Sequence, residues 1–312
     1  MENLILSLNT VVPLFLLMML GYFLKRIKLM PESILTQLNK LVFNVFLAAS
    51  LFYNIYTTKL EDAWSTNAVV YIVVSVVLIF LLLLLIVPRF EKDKRKASVM
   101  IQSVYRSNII VLGIPIVNEL CGEGNGGLMS IIIALVIPMY NIISIFIFAF
   151  MGEDKPKISA TLLKIAKNPL IIGSLLGILF ITTGLKLPYI LEKSVSSVAS
   201  VSTPLALIVL GGFFDFKKLS GNVKQLVFSI SARLVFVPLI FLGTAVFLGF
   251  RDSDLITMLA TFCSPSAVTS FTMAKQMGAD ADLAAQTVVL GTLFSIATMF
   301  LWIFSLKQFG LF

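Results

Sequence analysis

The chain has 312 residues, 58% of them hydrophobic and 13% charged, with a net charge of +8 and a mean hydropathy of +1.01, a balance that excludes an ordinary soluble domain. Its basic residues sit in short loops between apolar runs rather than on one face or tail, which points to membrane topology and away from nucleic acid. Histidine is absent and the only cysteines, Cys121 and Cys263, lack CxxC spacing, so zinc, haem and thiol–histidine catalysis lack their usual groups and no metal or cofactor is expected.

About 20 apolar residues are needed to cross the hydrocarbon core. On that criterion the chain predicts ten spans, over residues 4–24, 34–56, 67–88, 99–120, 128–150, 169–184, 195–214, 225–249, 254–275 and 283–306. The first is followed, not preceded, by Lys25, Arg26 and Lys28 and has no small-residue cleavage pattern, so it reads as a retained span rather than a signal peptide. The sixth is short and glycine-containing, and an earlier start near Leu162 would lengthen it.

Orientation follows from the loops. With the N-terminus outside, 18 of the 24 basic residues face the cytoplasm, among them Arg106 at the start of the fourth span. That bias places both termini on the non-cytoplasmic side of the cell membrane.

The two halves resemble one another at a nearly constant offset. Leu29-Met30-Pro31 with Ile34-Leu35 is echoed by Leu187-Pro188 with Ile190-Leu191, and Leu47-Ala48 aligns with Pro204-Leu205 at the same separation of 157 residues. Five spans is an odd number, so two such repeats insert in opposite orientations, giving an all-α 5+5 inverted repeat. Residues 1–151 form the first repeat, 152–168 a cytoplasmic connector and 169–312 the second repeat.

Proline interrupts two spans at matching places, within Ser107-Asn108-Ile109-Ile110-Val111-Leu112-Gly113-Ile114-Pro115 and within Phe262-Cys263-Ser264-Pro265-Ser266-Ala267-Val268-Thr269-Ser270. A bare break in lipid would leave backbone groups unsatisfied, so both breaks should face protein or a polar cavity. Each following half-helix is expected to start with its proline near the first position, where the missing N–H costs nothing. The fourth and ninth spans run in opposite directions, so two positive half-helix ends should meet near the midplane and attract an anion. Ser107, Asn108, Ser264, Ser266, Thr269 and Ser270 would supply neutral donors there, without a fixed counter-charge.

Other polar residues in apolar spans have two readings each. Asn108 either contacts substrate or joins helices, and its place two turns before Pro115 favours contact. Ser264 either caps the second half-helix or contacts ligand. Asn44 and the Tyr140-Asn141 pair beside Pro138 either line the cavity or bond between helices. Thr203-Pro204 is expected next to the crossover, Gln286 in a structural role, and Arg233 also in a structural role, either snorkelling inward or paired with Asp215. Apart from the ends of spans, where Glu119 and Glu123 lie, no acid sits in an apolar run, so no membrane-embedded proton carrier is evident. No acid–base pair, Ser/Lys dyad or metal cluster points to an enzyme.

Arg106-Ser107-Asn108 followed by Gly113-Ile114-Pro115, then Pro265 through Ala274-Lys275, Gly278, Asp280 and the 284–292 stretch, resembles the auxin efflux carrier family of plant PIN carriers and microbial permeases. Asn168-Pro169 and Arg233 with Pro238 add to the likeness, which extends over all ten spans, and the short connector is similar to that of microbial members. Leu47 stands where the family usually has proline. The resemblance implies a fold related to bile-acid and sodium/proton transporters, with a scaffold of spans 1, 2, 6 and 7 and a transport domain of spans 3–5 and 8–10. It further implies a crossover of helices four and nine at Pro115 and Pro265, a substrate carboxylate held near Asn108, elevator motion and homodimers. Small organic anions such as malonate or malate are the implied substrates. The rival readings are a sodium-coupled symporter of the same architecture and a membrane ligand sensor that moves nothing.

Overall fold

A computed structural model describes residues 2–58, 65–122, 127–152, 163 and 165–312, so Glu123, Leu162 and most of the connector lie outside the described residues. Helix α1 covers Glu2–Arg26 and α2 covers Glu32–Tyr56. Then come α3 at Thr66–Phe90, α4 at Lys94–Tyr105, α5 at Ile109–Cys121 and α6 at Gly127–Phe150. The second half holds α7 at Pro169–Thr183, α8 at Tyr189–Phe213, α9 at Phe216–Phe247, α10 at Asp252–Cys263, α11 at Val268–Gln276 and α12 at Ala281–Gln308. Six of these, α2, α3, α6, α8, α9 and α12, are long and apolar enough to cross a membrane, and α5 and α7 are shorter apolar helices. The chain is therefore a multi-pass helical membrane protein.

Local chemistry sets the helix ends. Asp93 accepts from the amides of Arg95 and Lys96 to start α4, Asn168 caps α7 through Leu170 N at 2.9 Å with Pro169 next, and Asp280 caps α12 through Leu283 N at 2.9 Å. Gly184 ends α7 in the left-handed conformation, φ 68°, which only glycine adopts freely. Among the described residues, three helices contain a π turn, at Val42–Phe46, Ile109–Gly113 and Ala232–Phe236. Proline follows the second and third closely, as Pro115 and Pro238, where its missing N–H favours a widened turn. Pro238 leaves Leu234 O without its usual amide, and Trp302 Nε1 donates to that oxygen at 3.1 Å instead. The first π turn precedes Leu47, so α2 widens there without a proline and stays continuous through Tyr56.

Helix α1 packs on α8, α8 on α2 and α2 on α7, with α1 also against α12, whereas α3, α4, α5, α6, α9, α10, α11 and α12 interlock around the two broken segments. The first contact depends on glycine. A Cβ on Gly21 would lie 1.8 Å from Ile208 O, and one on Gly211 would lie 1.9 Å from Met18 O, so the α1 and α8 backbones touch directly. Gly211→Ala should lower stability by about 1–3 kcal/mol because the obstacle is backbone that cannot rotate away. Gly243→Ala, which meets nothing within 4 Å, should be neutral. Melting of the two purified variants in detergent checks the contrast, and equal melting temperatures would refute the close-contact account.

Candidate functional site

Among the described residues, the chain breaks twice in the interior. Between α4 and α5 the backbone leaves the helix at Arg106–Asn108, extended at Arg106, and between α10 and α11 it is extended at Ser264 and Ala267. The two stretches run antiparallel and pair as a single bridge between Ser107 and Ser266, in which Asn108 N donates to Pro265 O at 2.9 Å and Ala267 N to Arg106 O at 3.3 Å. Each break thus gives two backbone groups of the other a partner, which helps irregular chain persist in the interior.

The prolines do not act as expected. Pro115 sits inside α5, after the π turn, and the first break lies seven or more residues earlier at Arg106–Asn108. The widened turn absorbs the missing N–H, so the proline does not open the helix. Pro265 lies within the second break, and α11 begins only at Val268.

Arg233 is not paired with Asp215, whose carboxylate instead accepts from Lys217 N at 2.9 Å. Its guanidinium, 2% exposed, donates to Val104 O at 3.0 Å, Thr261 O at 2.7 Å and Ser264 O at 2.7 Å. These carbonyls belong to the C-terminal ends of α4 and α10, whose partial negative charge a cation stabilises. One side chain therefore ties together both half-helices that run into the crossover.

The positive ends lie opposite, against a cavity of about 50 Å³. That is several times the ~10–15 Å³ a single water needs. Its walls are the crossover from Arg106 to Asn108, the first residues of α5 (Ile109, Ile110, Val111), Ala267 with Val268 and Thr269 at the start of α11, and Ile137 and Tyr140 of α6. Leu47, Ser50 and Leu51 of α2 and Ser202, Thr203 and Ala206 of α8 close the other side. Thr203 is thus beside the crossover, as its sequence position suggests.

Within this site Asn108 precedes α5 without capping it, and its Nδ2 is buried without a partner, as is the Ser107 hydroxyl. Arg106, placed by sequence among the cytoplasmic loop charges, is 3% exposed in the cavity wall. Its Nε and Nη2 donate to Thr269 Oγ1 at 3.2 and 2.8 Å, and Nη1 approaches Ser144 Oγ and Met273 Sδ, each at 3.2 Å. Ser144 also accepts from Gln102 Nε2 at 3.0 Å, shares a 2.6 Å bond with the Tyr105 hydroxyl and donates to Tyr140 O at 2.7 Å. A cation beside the crossover corrects the expectation of purely neutral donors. A basic residue at the edge of an apolar run is indistinguishable in sequence from a topology signal, and Ser144 inside such a run carries none.

The other candidates are scattered more widely. Asn44 is exposed, its Nδ2 donates to Lys40 O at 2.8 Å one turn back, and it does not line the cavity. Asn141 is fully buried outside the cavity wall, with neither amide atom partnered. Ser264 donates to Ala260 O at 2.6 Å and so closes α10 rather than capping α11, while the buried hydroxyls of Ser266 and Ser270 have no partner. Gln286 accepts from Asn222 Nδ2 at 2.9 Å, a bond between α12 and α9. No cluster of metal ligands occurs among the described residues.

A helical membrane protein in which two interrupted helices meet over a cavity, apolar but for a few polar groups at the crossover, has the architecture of the transporter class. The chain belongs to the family described as Membrane transport protein, which matches residues 6–303 and includes the auxin efflux carriers. It is 24% identical to an uncharacterized transporter of Methanothermobacter thermautotrophicus, over 95% of this chain and 97% of that one. It is 22% identical to a putative malonate transporter of Rhizobium meliloti, over 93% and 92% of the two chains. With auxin efflux carrier component 6 of Arabidopsis thaliana it shares 23% identity over 45% of this chain and 25% of the plant protein.

Proposed function

We propose that the protein carries small organic anions, carboxylates in particular, across the cell membrane by elevator-type alternating access, with substrate held at the crossover. In this reading ten spans form two inverted repeats with both termini non-cytoplasmic. Helices α1, α2, α7 and α8 are the scaffold, the remainder moves against them, and the scaffold mediates a homodimer. The carrying observation is the cavity itself. It lies between those two packing groups, faces the N-terminal ends of α5 and α11, and keeps Asn108 Nδ2 and the Ser107 hydroxyl unpartnered. Leaving a buried polar group unmade costs about 1–3 kcal/mol, which a ligand that accepts from it would recover. Half-helix N-termini favour anions, and the names of the malonate and auxin relatives agree with a carboxylate.

A thermal-stability screen of purified protein against acetate, malonate, succinate and malate tests the class of ligand. At 100 times its dissociation constant a ligand adds about 2.7 kcal/mol of stability, a rise in melting temperature that is readily measured. At least one carboxylate should produce that rise while sodium chloride at equal ionic strength does not. No response to any of the four would count against the carboxylate reading.

A further inference from the structure

Two arginines are buried at the crossover, and they are not equivalently compensated. Arg233 places its donors on three backbone carbonyls at the negative ends of α4 and α10, and so answers those helix dipoles. Arg106 has no such partners. Thr269, Ser144 and Met273 offer it two neutral hydroxyls and a thioether, and no carboxylate comes within ion-pair distance of it among the described residues. Although it stands at the end of α4, its guanidinium bonds none of the terminal carbonyls there, whereas Arg233 bonds Val104 O. Five N–H groups form the guanidinium fork, and the contacts above leave one hydrogen of Nη2 without an acceptor.

We infer that Arg106 is the substrate's counter-charge: one carboxylate group of a small organic anion lies against its guanidinium, with Ser107 and Asn108 donating beside it. The placement is consistent on three counts. Arg106, Ser107 and Asn108 are consecutive on the break and line one cavity; Ser107 Oγ and Asn108 Nδ2 are buried donors without partners; and a buried cation that lacks the carbonyl cage of Arg233 carries a desolvation cost that a well-placed anion offsets. The inference rests on the proposed carrier function and adds a kinetic consequence. A loaded site is electrically compensated, whereas an empty one holds a bare buried charge, so a moving domain that contains Arg106 returns faster with an anion than without one. Exchange of anions should outrun net uptake.

The test uses the full chain, with malonate as the probe. Affinity is measured on the purified protein, and initial rates of labelled malonate uptake are measured in proteoliposomes, either empty or preloaded with unlabelled malonate. Arg106→Gln should melt near the wild type yet bind malonate at least about 30-fold more weakly, as expected when one partner of a buried charge pair is removed. Arg106→Lys, which keeps the charge but not the planar fork, should recover part of that loss and still bind more weakly than the wild type. Preloading should stimulate wild-type uptake several-fold and should not stimulate Arg106→Gln at saturating malonate, a readout that a merely structural arginine would not move. If Arg106→Gln does not fold, Arg106→Lys decides: weaker malonate binding at unchanged melting supports the assignment, and unchanged binding overturns it. Wild-type affinity in Arg106→Gln, or wild-type uptake indifferent to preloading, overturns it too. A wild type that binds malonate while Arg106→Gln binds it equally overturns only this inference, whereas a wild type that binds none of the four carboxylates overturns this inference and the carboxylate reading together.

Discussion

Replacing Arg233 with methionine is expected to abolish recovery of monodisperse protein from detergent. The side chain holds three carbonyls from two half-helices at 2.7–3.0 Å. Without it Val104 O, Thr261 O and Ser264 O are left buried at the negative ends of α4 and α10, with no water to replace the lost donors. Removing one member of a buried charged arrangement costs about 3–5 kcal/mol, enough to consume much of an ordinary folding free energy. Methionine fills similar volume, so the effect would report the lost bonds rather than a void. Arg233→Lys has one ammonium for carbonyls that the planar fork reaches together, and should give folded protein of reduced melting temperature. Size-exclusion profiles and melting curves of the three proteins decide the matter, and normal behaviour of Arg233→Met would remove the clamp from the account.

The second large effect is functional. Asn108→Ala should leave the melting temperature of ligand-free protein within a few degrees of wild type, because Nδ2 makes no bond within the chain and the residue does not cap α5. Carboxylate binding should weaken by about 1.5–3 kcal/mol, the worth of a hydrogen bond to a charged group, or roughly 10- to 100-fold. Uptake at low substrate concentration should fall in proportion. Calorimetric titration with malonate, beside a melting curve, separates this outcome from a folding defect. Unchanged affinity and uptake in Asn108→Ala would withdraw the residue from the site. A large fall in melting temperature without ligand would instead mark it as a helix-joining amide.

Some of this arrangement was readable in the amino-acid sequence and some was not, for identifiable physical reasons. Long apolar runs bounded by Asp, Asn and basic residues announce helices, and α3, α6 and α12 begin and end within two residues of the expected positions. The polar interruptions around Ser107-Asn108 and Ser264-Ser266 mark the crossover because few other reasons place such residues together inside apolar segments. Pro115 misled about the position of the first break, since a one-dimensional pattern cannot distinguish a proline that opens a helix from one absorbed by a π turn. Asn44 and Asn108 have similar surroundings in sequence, yet one faces outward and bonds its own helix while the other reaches the crossing. Arg233 invites pairing with Asp215 because an acid is the obvious partner for a buried base. Its actual partners are backbone carbonyls from residues 104, 261 and 264, which leave no trace in side-chain identity. Arg106 was hidden by its own neighbourhood, following a basic stretch from Arg89 to Lys96 that reads as one cytoplasmic block.

The central claim is that the cavity over the crossover moves a carboxylate rather than merely holding one. Its most direct measurement is uptake of labelled malonate into proteoliposomes, compared with protein-free vesicles, from a preparation whose binding has been titrated in parallel. The account predicts saturable uptake, half-maximal at a concentration close to the measured affinity and suppressed by excess unlabelled malonate. Tight, specific binding with no uptake above protein-free vesicles would contradict it and identify a membrane ligand sensor instead.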